Sequence, residues 1–164
     1  MTSGSVPPAG AGYSVLLLLH VAAAVVGFGA VAVTGVQAAR LRRGSNDPGA
    51  PGLRRYFRPG TNWAARALYA VPVLGFGLIA DSGGAWDATD GWVMAGLGLW
   101  LAGAVLAEVV LWPAERRIQR RVAHHWDDRA EAEPLARDCG RAAVASALLL
   151  AVFLAALVVM TAKP

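Results

Sequence analysis

Cysteine and lysine are nearly absent from the chain, which has Cys139 and Lys163 as its single examples. One cysteine excludes an internal disulfide and a cluster of cysteine metal ligands, so Cys139 is expected to pack as a small apolar residue. The motifs of phosphate-binding loops, nucleophile elbows, zinc proteases and dinucleotide-binding folds are also missing. No common catalytic motif therefore indicates a reaction, and we predict no metal site.

Charged residues are scarce at 16%, whereas 56% of the residues are apolar. This composition is too apolar for a soluble domain of 164 residues. A membrane core about 30 Å thick requires about 20 apolar residues per helical span, and four stretches of the chain meet this requirement. We therefore predict an all-α polytopic membrane protein, an antiparallel bundle of four transmembrane helices. The predicted spans are residues 13–39, 62–80, 91–112 and 141–160, within one domain (13–164) that follows a flexible leader (1–12).

Basic residues are distributed unevenly along the chain. Six arginines lie in loop 40–60 and six in loop 113–140, whereas loop 81–90 contains none. Lysine and arginine counts near span ends set the orientation of a membrane protein, so we predict cytoplasmic arginine-rich loops and outward-facing termini. The same distribution argues against nucleic acid as a partner, despite a net charge of +4. The leader carries no basic residue, so the first span is expected to be retained rather than cleaved as a signal peptide.

Each of the first two spans contains the sequence Gly-Phe-Gly. Helices in lipid associate largely through close contacts at small residues. Each motif lies about 14 residues from the start of its own helix, and Gly103 of the third span is expected at a similar depth. The first three helices are therefore predicted to approach one another at one level, with Pro72 bending the second helix nearby. The glycines assigned to this contact are Gly27, Gly29, Gly75, Gly77 and Gly103.

Three ionisable side chains fall inside the predicted spans: His20, Arg66 and Glu108. Charged groups within a membrane are costly and mark candidate functional positions. Arg66 and Glu108 lie at similar depths on the second and third spans, and an ion pair would lower the cost of burying both charges. The pair is predicted to join the two helices. The alternative is that it lines a cavity open to the cytoplasm.

His20 lies about 10 Å below the outer end of the first span by helix rise. Small residues, among them Ala24 and Gly27, share its helix face, so the imidazole is expected to point into the bundle. One interpretation is a neutral imidazole bonded to a neighbouring hydroxyl or carbonyl group. The other is an axial haem ligand, a metal ligand or a proton carrier. No predicted span contains a second histidine, because His124 and His125 lie in the third loop.

The third loop has a helical pattern. Ile118 and Val122 recur at helical spacing with arginines between them, so the third helix is expected to continue past Pro113. The arginines there would favour an anionic leaflet, and the alternative is a plain solvated extension of the helix. Asp138 is predicted to cap the fourth helix, and Trp100 is expected to pack against a neighbouring helix.

The first span combines a Leu-His-Val start, a central Gly-Phe-Gly and an arginine-rich exit. In these features, mainly between Leu19 and Arg43, and in its four-span layout, the chain resembles bacterial predicted four-helix integral membrane proteins of unknown function. It is more loosely similar to HemJ-type protoporphyrinogen oxidases and copper-resistance-D-type membrane proteins, which also place a histidine early in the first helix. The HemJ-type resemblance implies a histidine and a lysine that act with haem. His20 matches the histidine, and no predicted span contains a lysine.

Taken together, these patterns favour a non-enzymatic structural, assembly or accessory subunit of the bacterial cytoplasmic (inner) membrane. One alternative is a haem- or porphyrin-linked redox protein that uses His20, and haem is the one cofactor considered. Another is a small transporter or channel subunit that uses Arg66 and Glu108. The expected partners are the lipid bilayer and either another membrane protein or a second copy of this chain.

Overall fold

Five helices make up the computed structural model, which describes residues 10–43, 50–124, 126 and 129–162. Four are long and apolar enough to cross a membrane, and no strand occurs in these ranges, which confirms the predicted all-α chain with four spans. Residues 1–9 of the predicted leader and His125 lie outside the described residues. The helices are α1 (Ala11–Arg42), the short α2 (Ala50–Tyr56), α3 (Trp63–Ala80), α4 (Gly91–His124) and α5 (Ala132–Ala162).

The long helices pack side by side in the order α3, α1, α5, α4. α1 contacts α3 on one side and α5 on the other, and α4 joins the bundle through α5. Within the described ranges, α3 and α4 are not a closely packed pair. We call the end of the bundle that carries residues 10 and 162 and the loop 81–90 the terminal end. The opposite end, which carries α2 and the last part of α4, is the arginine end.

Small residues allow α1 and α5 to approach closely. A Cβ atom added to Gly35 would lie 2.6 Å from the Cβ atom of Ser146, so the two helices touch where glycine leaves space. Further along, the rings of Phe28 and Phe153 stack with their centroids 3.5 Å apart. Such close contacts stabilise helix pairs in lipid. The buried face of α1 consists of Gly27, Val31, Thr34, Gly35, Ala38 and Leu41.

The prediction that glycines bring the first three helices together at one level is wrong. Gly27 packs against the backbone of α3, where an added Cβ atom would lie 2.7 Å from the Leu68 amide nitrogen. Gly75 instead faces His20, about 10 Å further along α3 by helix rise. The two Gly-Phe-Gly motifs are therefore offset, because the approach of Leu68 to Gly27 sets the register of the antiparallel pair.

Gly29 does not pack against another helix, contrary to the prediction, since none of the described residues of other elements lies within 4 Å of an added Cβ atom. It is turned about 200° around α1 from Gly27 and so points away from α3. Gly77 faces Leu16 of α1. Gly103 faces Phe153 of α5 rather than the first two spans, because α4 enters the bundle through α5.

The helices α3 and α4 each change their backbone hydrogen-bonding pattern ahead of a proline. α3 contains a 3₁₀ turn, Ala67–Tyr69, before Pro72, and α4 contains a π-helical turn, Ala107–Leu111, before Pro113. Proline has no amide hydrogen and its ring crowds the preceding turn, so the regular α-helical pattern is interrupted there. These irregular turns contain Tyr69 and Glu108.

The arginine end has an apolar core of its own. α4 continues past Pro113, as predicted, and presents Ile118 and Val122 on a buried face. Leu53 of α2 and Phe57 after it belong to the same buried cluster. The last part of α4 is therefore a packed element and not a solvated extension.

Asp138 is not the cap of the fourth long helix, contrary to the prediction. α5 begins at Ala132, so Asp138 lies in its second turn, and the residue is buried. Its Oδ2 atom is 3.2 Å from Nε of Arg121. The carboxylate joins α5 to α4, because the two helices meet at the arginine end.

Candidate functional site

A cavity of about 340 Å³ lies between α3 and α4 in the half of the bundle nearer the terminal end. Side chains from all four long helices line it, and α3 and α4 do not pack closely against each other. Most of the lining is apolar or aromatic. The residues that shape it include His20, Gly75, Phe76, Trp92, Trp100 and Met160.

Trp100 lies at the end of the cavity nearer the arginine end and bonds α4 to α3. Its indole N–H donates to the carbonyl oxygen of Leu68 at 3.0 Å. In a regular α-helix that carbonyl would accept from residue 72, which is a proline without an amide hydrogen. An unpaired carbonyl in a membrane core is costly, so the indole stabilises α3 where the proline weakens it. The Trp100 ring also meets Tyr69 edge-on, with centroids 6.2 Å apart.

His20 projects from α1 towards α3. Gly75 lies against its ring, because a Cβ atom added to that glycine would be 3.4 Å from the imidazole Cε1. The imidazole is also within hydrogen-bonding range of the Val71 backbone. Its Nδ1 atom is buried and makes no well-aligned hydrogen bond in the part of the chain that the structure describes. A buried polar atom without a partner destabilises a protein by about 1–3 kcal/mol.

The structure brings Arg66 and Glu108 together on the other side of Trp100. Arg66 Nη1 is 3.0 Å from Glu108 Oε1, and the Tyr69 hydroxyl donates to the same oxygen at 2.6 Å. The guanidinium carbon of Arg66 lies 4.6 Å from the ring centroid of Trp112. These contacts join α3 to α4. The two charged side chains are 27% and 50% exposed, so the pair lies at the surface of the bundle.

His20 is separated from the ion pair. His20 lines the cavity, whereas Arg66 and Glu108 do not. Glu108 is eight residues beyond Trp100 on α4, or about 12 Å by helix rise. The imidazole and the carboxylate therefore do not form one catalytic unit. Among the described residues, no group of three histidine, cysteine, aspartate or glutamate side chains is placed to hold a metal ion.

A polar cluster that the sequence analysis did not find lies towards the arginine end. The Thr34 hydroxyl donates to the carbonyl oxygen of Ala30 at 3.0 Å, and it lies 2.7 Å from the Tyr56 hydroxyl. Because a hydroxyl has one hydrogen, Thr34 accepts from Tyr56. The Asn62 amide also donates to Thr34 at 3.4 Å, and its oxygen accepts from the amide of Ala65. The cluster ties α2 and the start of α3 to α1.

Two effects on the pKa of Tyr56 oppose each other in this cluster. Burial raises the pKa of Tyr56 above its ordinary value of 10.0, and the hydrogen bond with Thr34 acts in the opposite direction. Glu115 is 7% exposed and interacts with Asn62. The sequence pattern indicates that Glu115 is buried, because this residue lies on the same helical stripe as Leu111, Ile118 and Val122.

Residues 14–164 match the family described as Predicted integral membrane protein (DUF2269). The match covers nearly the whole sequence, so the chain belongs to this family of integral membrane proteins. The finding confirms the resemblance to predicted integral membrane proteins of unknown function. It does not show the looser similarity to HemJ-type or copper-resistance-D-type proteins. No curated protein and no solved structure matches the chain.

Proposed function

We propose that this integral membrane protein is a non-enzymatic accessory subunit of the bacterial inner membrane. Its contribution would be to hold a membrane-dissolved apolar molecule in the cavity between α3 and α4. The observation that carries the proposal is the cavity of about 340 Å³, whose largely apolar lining includes one imidazole. Small-molecule sites are typically concave and mostly apolar, with a few polar groups that orient the ligand.

The lining of the cavity limits the class of ligand. The indole rings of Trp92 and Trp100 offer broad apolar surfaces, which suit a ring or a hydrocarbon chain. A charged ligand would lose its hydration without gaining an ionic partner, and that loss is costly. Polar side chains are few in the lining, with the His20 imidazole among them, so the favoured ligand is largely apolar with few polar groups.

The proposed orientation places the arginine end in the cytoplasm and the cavity in the outer half of the membrane. The excess of arginine in loops 40–60 and 113–140 supports it. In a Cys139→Ala background, a membrane-impermeant maleimide should label Thr89→Cys but not Arg55→Cys in intact cells. Labelling of Arg55→Cys alone would reverse the assignment.

Filling the cavity tests the proposed ligand site. Gly75→Phe adds a ring to a residue that lines the cavity and faces His20, whereas Gly29→Phe adds the same ring at an open position on α1. Organic extracts of the purified wild-type protein and both variants are then compared by mass spectrometry. We expect an apolar molecule to accompany the wild type and Gly29→Phe, and to be lost from Gly75→Phe.

The control must separate ligand loss from misfolding. Each variant is therefore checked for helix content and for a single species in detergent before extraction. Equal amounts of the same molecules in all three extracts would show that the cavity holds no ligand of its own and would reject the proposal.

A haem or porphyrin is the second candidate ligand, and the position of the His20 imidazole in the lining of the cavity is the observation that favours it. A bound haem would supply one-electron chemistry, with His20 as its protein ligand and the aromatic side chains around its ring. Protein purified from haem-supplemented cells should then show a Soret band that His20→Ala abolishes. A colourless, iron-free wild-type preparation would reject this candidate and leave the apolar-ligand proposal standing.

A further inference from the structure

A groove of about 660 Å³ runs along the last part of α4 at the arginine end. It starts at Pro113, where the predicted span 91–112 ends, and Pro59 forms part of its opposite wall. Gln119 holds that wall in place, because its side-chain amide donates to the carbonyl oxygen of Gly60 at 3.1 Å. The groove is therefore built from a helix and a loop that is fixed to it.

Two arginines in the groove have uncompensated charge. Arg116 and Arg120 are exposed, and no carboxylate in the described residues lies within ion-pair distance of either. The carboxylates of Glu108 and Glu115 act on Arg116 only at longer range. Arg121, on the neighbouring face of α4, is by contrast paired with carboxylates of α5 and of the turn before it.

The spacing of the two free arginines suits a phosphate group. Arg116 and Arg120 are one helical turn apart, so their stems are separated by about 6 Å on one face. Guanidinium groups bind phosphate oxygens through paired, charge-assisted hydrogen bonds. Two such groups at this separation can hold one phosphate diester between them.

The surface next to the groove identifies the rest of the ligand. On the membrane side of Pro113, α4 exposes Val109 at 67% and Val105 at 54% of their surfaces. These side chains belong to the predicted apolar span and contact no other helix over most of their area. A ligand with an anionic head and hydrocarbon chains would match both parts of this surface.

We propose that the groove binds the phosphate of an anionic phospholipid of the cytoplasmic leaflet, with its acyl chains against the exposed valines of α4. Arg116 and Arg120 hold the phosphate, and Arg117 lines the same groove. The inference rests on the proposed orientation, which the maleimide labelling tests separately, and it is independent of any ligand in the cavity. Each arginine near an anionic membrane surface strengthens binding roughly fivefold.

Lipid retention tests the groove. The full-length protein is reconstituted with phosphatidylglycerol and phosphatidylcholine of identical acyl chains, and retained lipids are counted by native mass spectrometry. The wild type should retain phosphatidylglycerol in preference. Arg116→Gln/Arg120→Gln should weaken this retention by roughly 25-fold, from two arginines at about fivefold each. Arg129→Gln/Arg137→Gln removes the same charge from exposed positions outside the groove and should retain the lipid as the wild type does.

Three results would overturn the proposal. They are equal retention of the two lipids by the wild type, equal losses in the two double variants, and equal thermal stabilisation by inorganic phosphate and phosphatidylglycerol. The last would identify a free-phosphate site instead. Should the glutamine variant fail to fold, Arg116→Lys/Arg120→Lys keeps the charge without the guanidinium geometry, and loss of the lipid preference in that folded variant would support the groove. An unchanged preference in the lysine variant would reject the paired hydrogen bonds.

Discussion

The two halves of the bundle differ in how α3 and α4 meet. In the half nearer the arginine end, polar groups join them, through the Arg66–Glu108 pair at 3.0 Å and the Tyr69 hydroxyl at 2.6 Å from the same carboxylate. The bond from Trp100 to the Leu68 carbonyl oxygen marks the limit of this zone. Beyond it, towards the terminal end, the cavity lies between the two helices.

This difference follows from how helices associate in lipid. Apolar side chains gain little by leaving lipid for a neighbouring helix, so small residues and interhelical hydrogen bonds decide which pairs stay together. α1 and α5 have a small-residue contact at Gly35 and Ser146, and α3 and α4 have polar contacts in one half only. The cavity is therefore located where the described residues of α3 and α4 show neither kind of contact.

Adding one methyl group should have opposite effects in the tight and the open regions. Gly35→Ala would place Cβ 2.6 Å from Ser146 Cβ, and such overpacking should destabilise the protein by about 2 kcal/mol. Gly75→Ala would place Cβ 3.4 Å from the His20 ring, an ordinary contact, and the better helix former should stabilise by up to about 1 kcal/mol. Unfolding in mixed detergent measures both. Equal losses would show that the terminal half is packed as tightly as the α1–α5 contact.

The stabilising effect of the hydrogen bond from Trp100 to Leu68 should depend on Pro72. Trp100→Phe leaves the Leu68 carbonyl without its indole donor and should destabilise by about 1–2 kcal/mol. Pro72→Ala returns an amide hydrogen to α3 at the position that a regular helix would use for that carbonyl. In the Pro72→Ala background, Trp100→Phe should therefore lower the free energy of unfolding much less. The same loss in both backgrounds would mean that the indole contributes through packing alone.

The Arg66–Glu108 ion pair should contribute less to the free energy of unfolding than the contacts above, because both side chains are partly exposed. A double-mutant cycle with Arg66→Gln and Glu108→Gln should give a coupling of about 0.5–1 kcal/mol. Tyr69→Phe provides a further comparison, since it removes the second bond to Glu108 and no charge. A coupling of zero would show that the pair does not join α3 to α4, and the transport hypothesis for these residues would become the better one.

The number of spans and their helical character were predictable because they depend on apolar length, which the sequence states directly. It was harder to predict which residues of each helix face a neighbouring helix. Gly27 and Gly29 differ by two positions, yet one contacts α3 and the other meets open space. Which of the two packs depends on which side of α1 faces α3, and Gly27 makes its contact with the backbone of Leu68, which no pattern of side chains reveals.

The candidate site was predictable only in part. His20, Arg66 and Glu108 stand out because charged residues are rare in spans, and the structure brings the last two together. The cavity beside His20 arises from the arrangement of four helices, so no single span predicts it. Glu115 was missed because the arginines around it suggested a solvated helix, although its spacing placed it on the buried face.

The smallest expected effect on stability comes from the ionisation of Tyr56 and is confined to high pH. Measuring it tests the polar cluster at the arginine end. Burial raises its pKa above 10.0, so the unfolded chain ionises first as the pH rises. The resulting stability is complete below pH 10.0 and is lost as the pH climbs through the folded-state pKa. The pH dependence of tyrosinate absorbance and of the free energy of unfolding should differ between the wild type and Tyr56→Phe only in that range. Thr34→Val removes the hydroxyl that can turn to donate to the ionised Tyr56, which is how Thr34 lowers this pKa, and should move the titration higher still. A titration of Tyr56 at or below 10.0 would mean that the cluster is open to water, and the arginine half would then be no more closed than the cavity half.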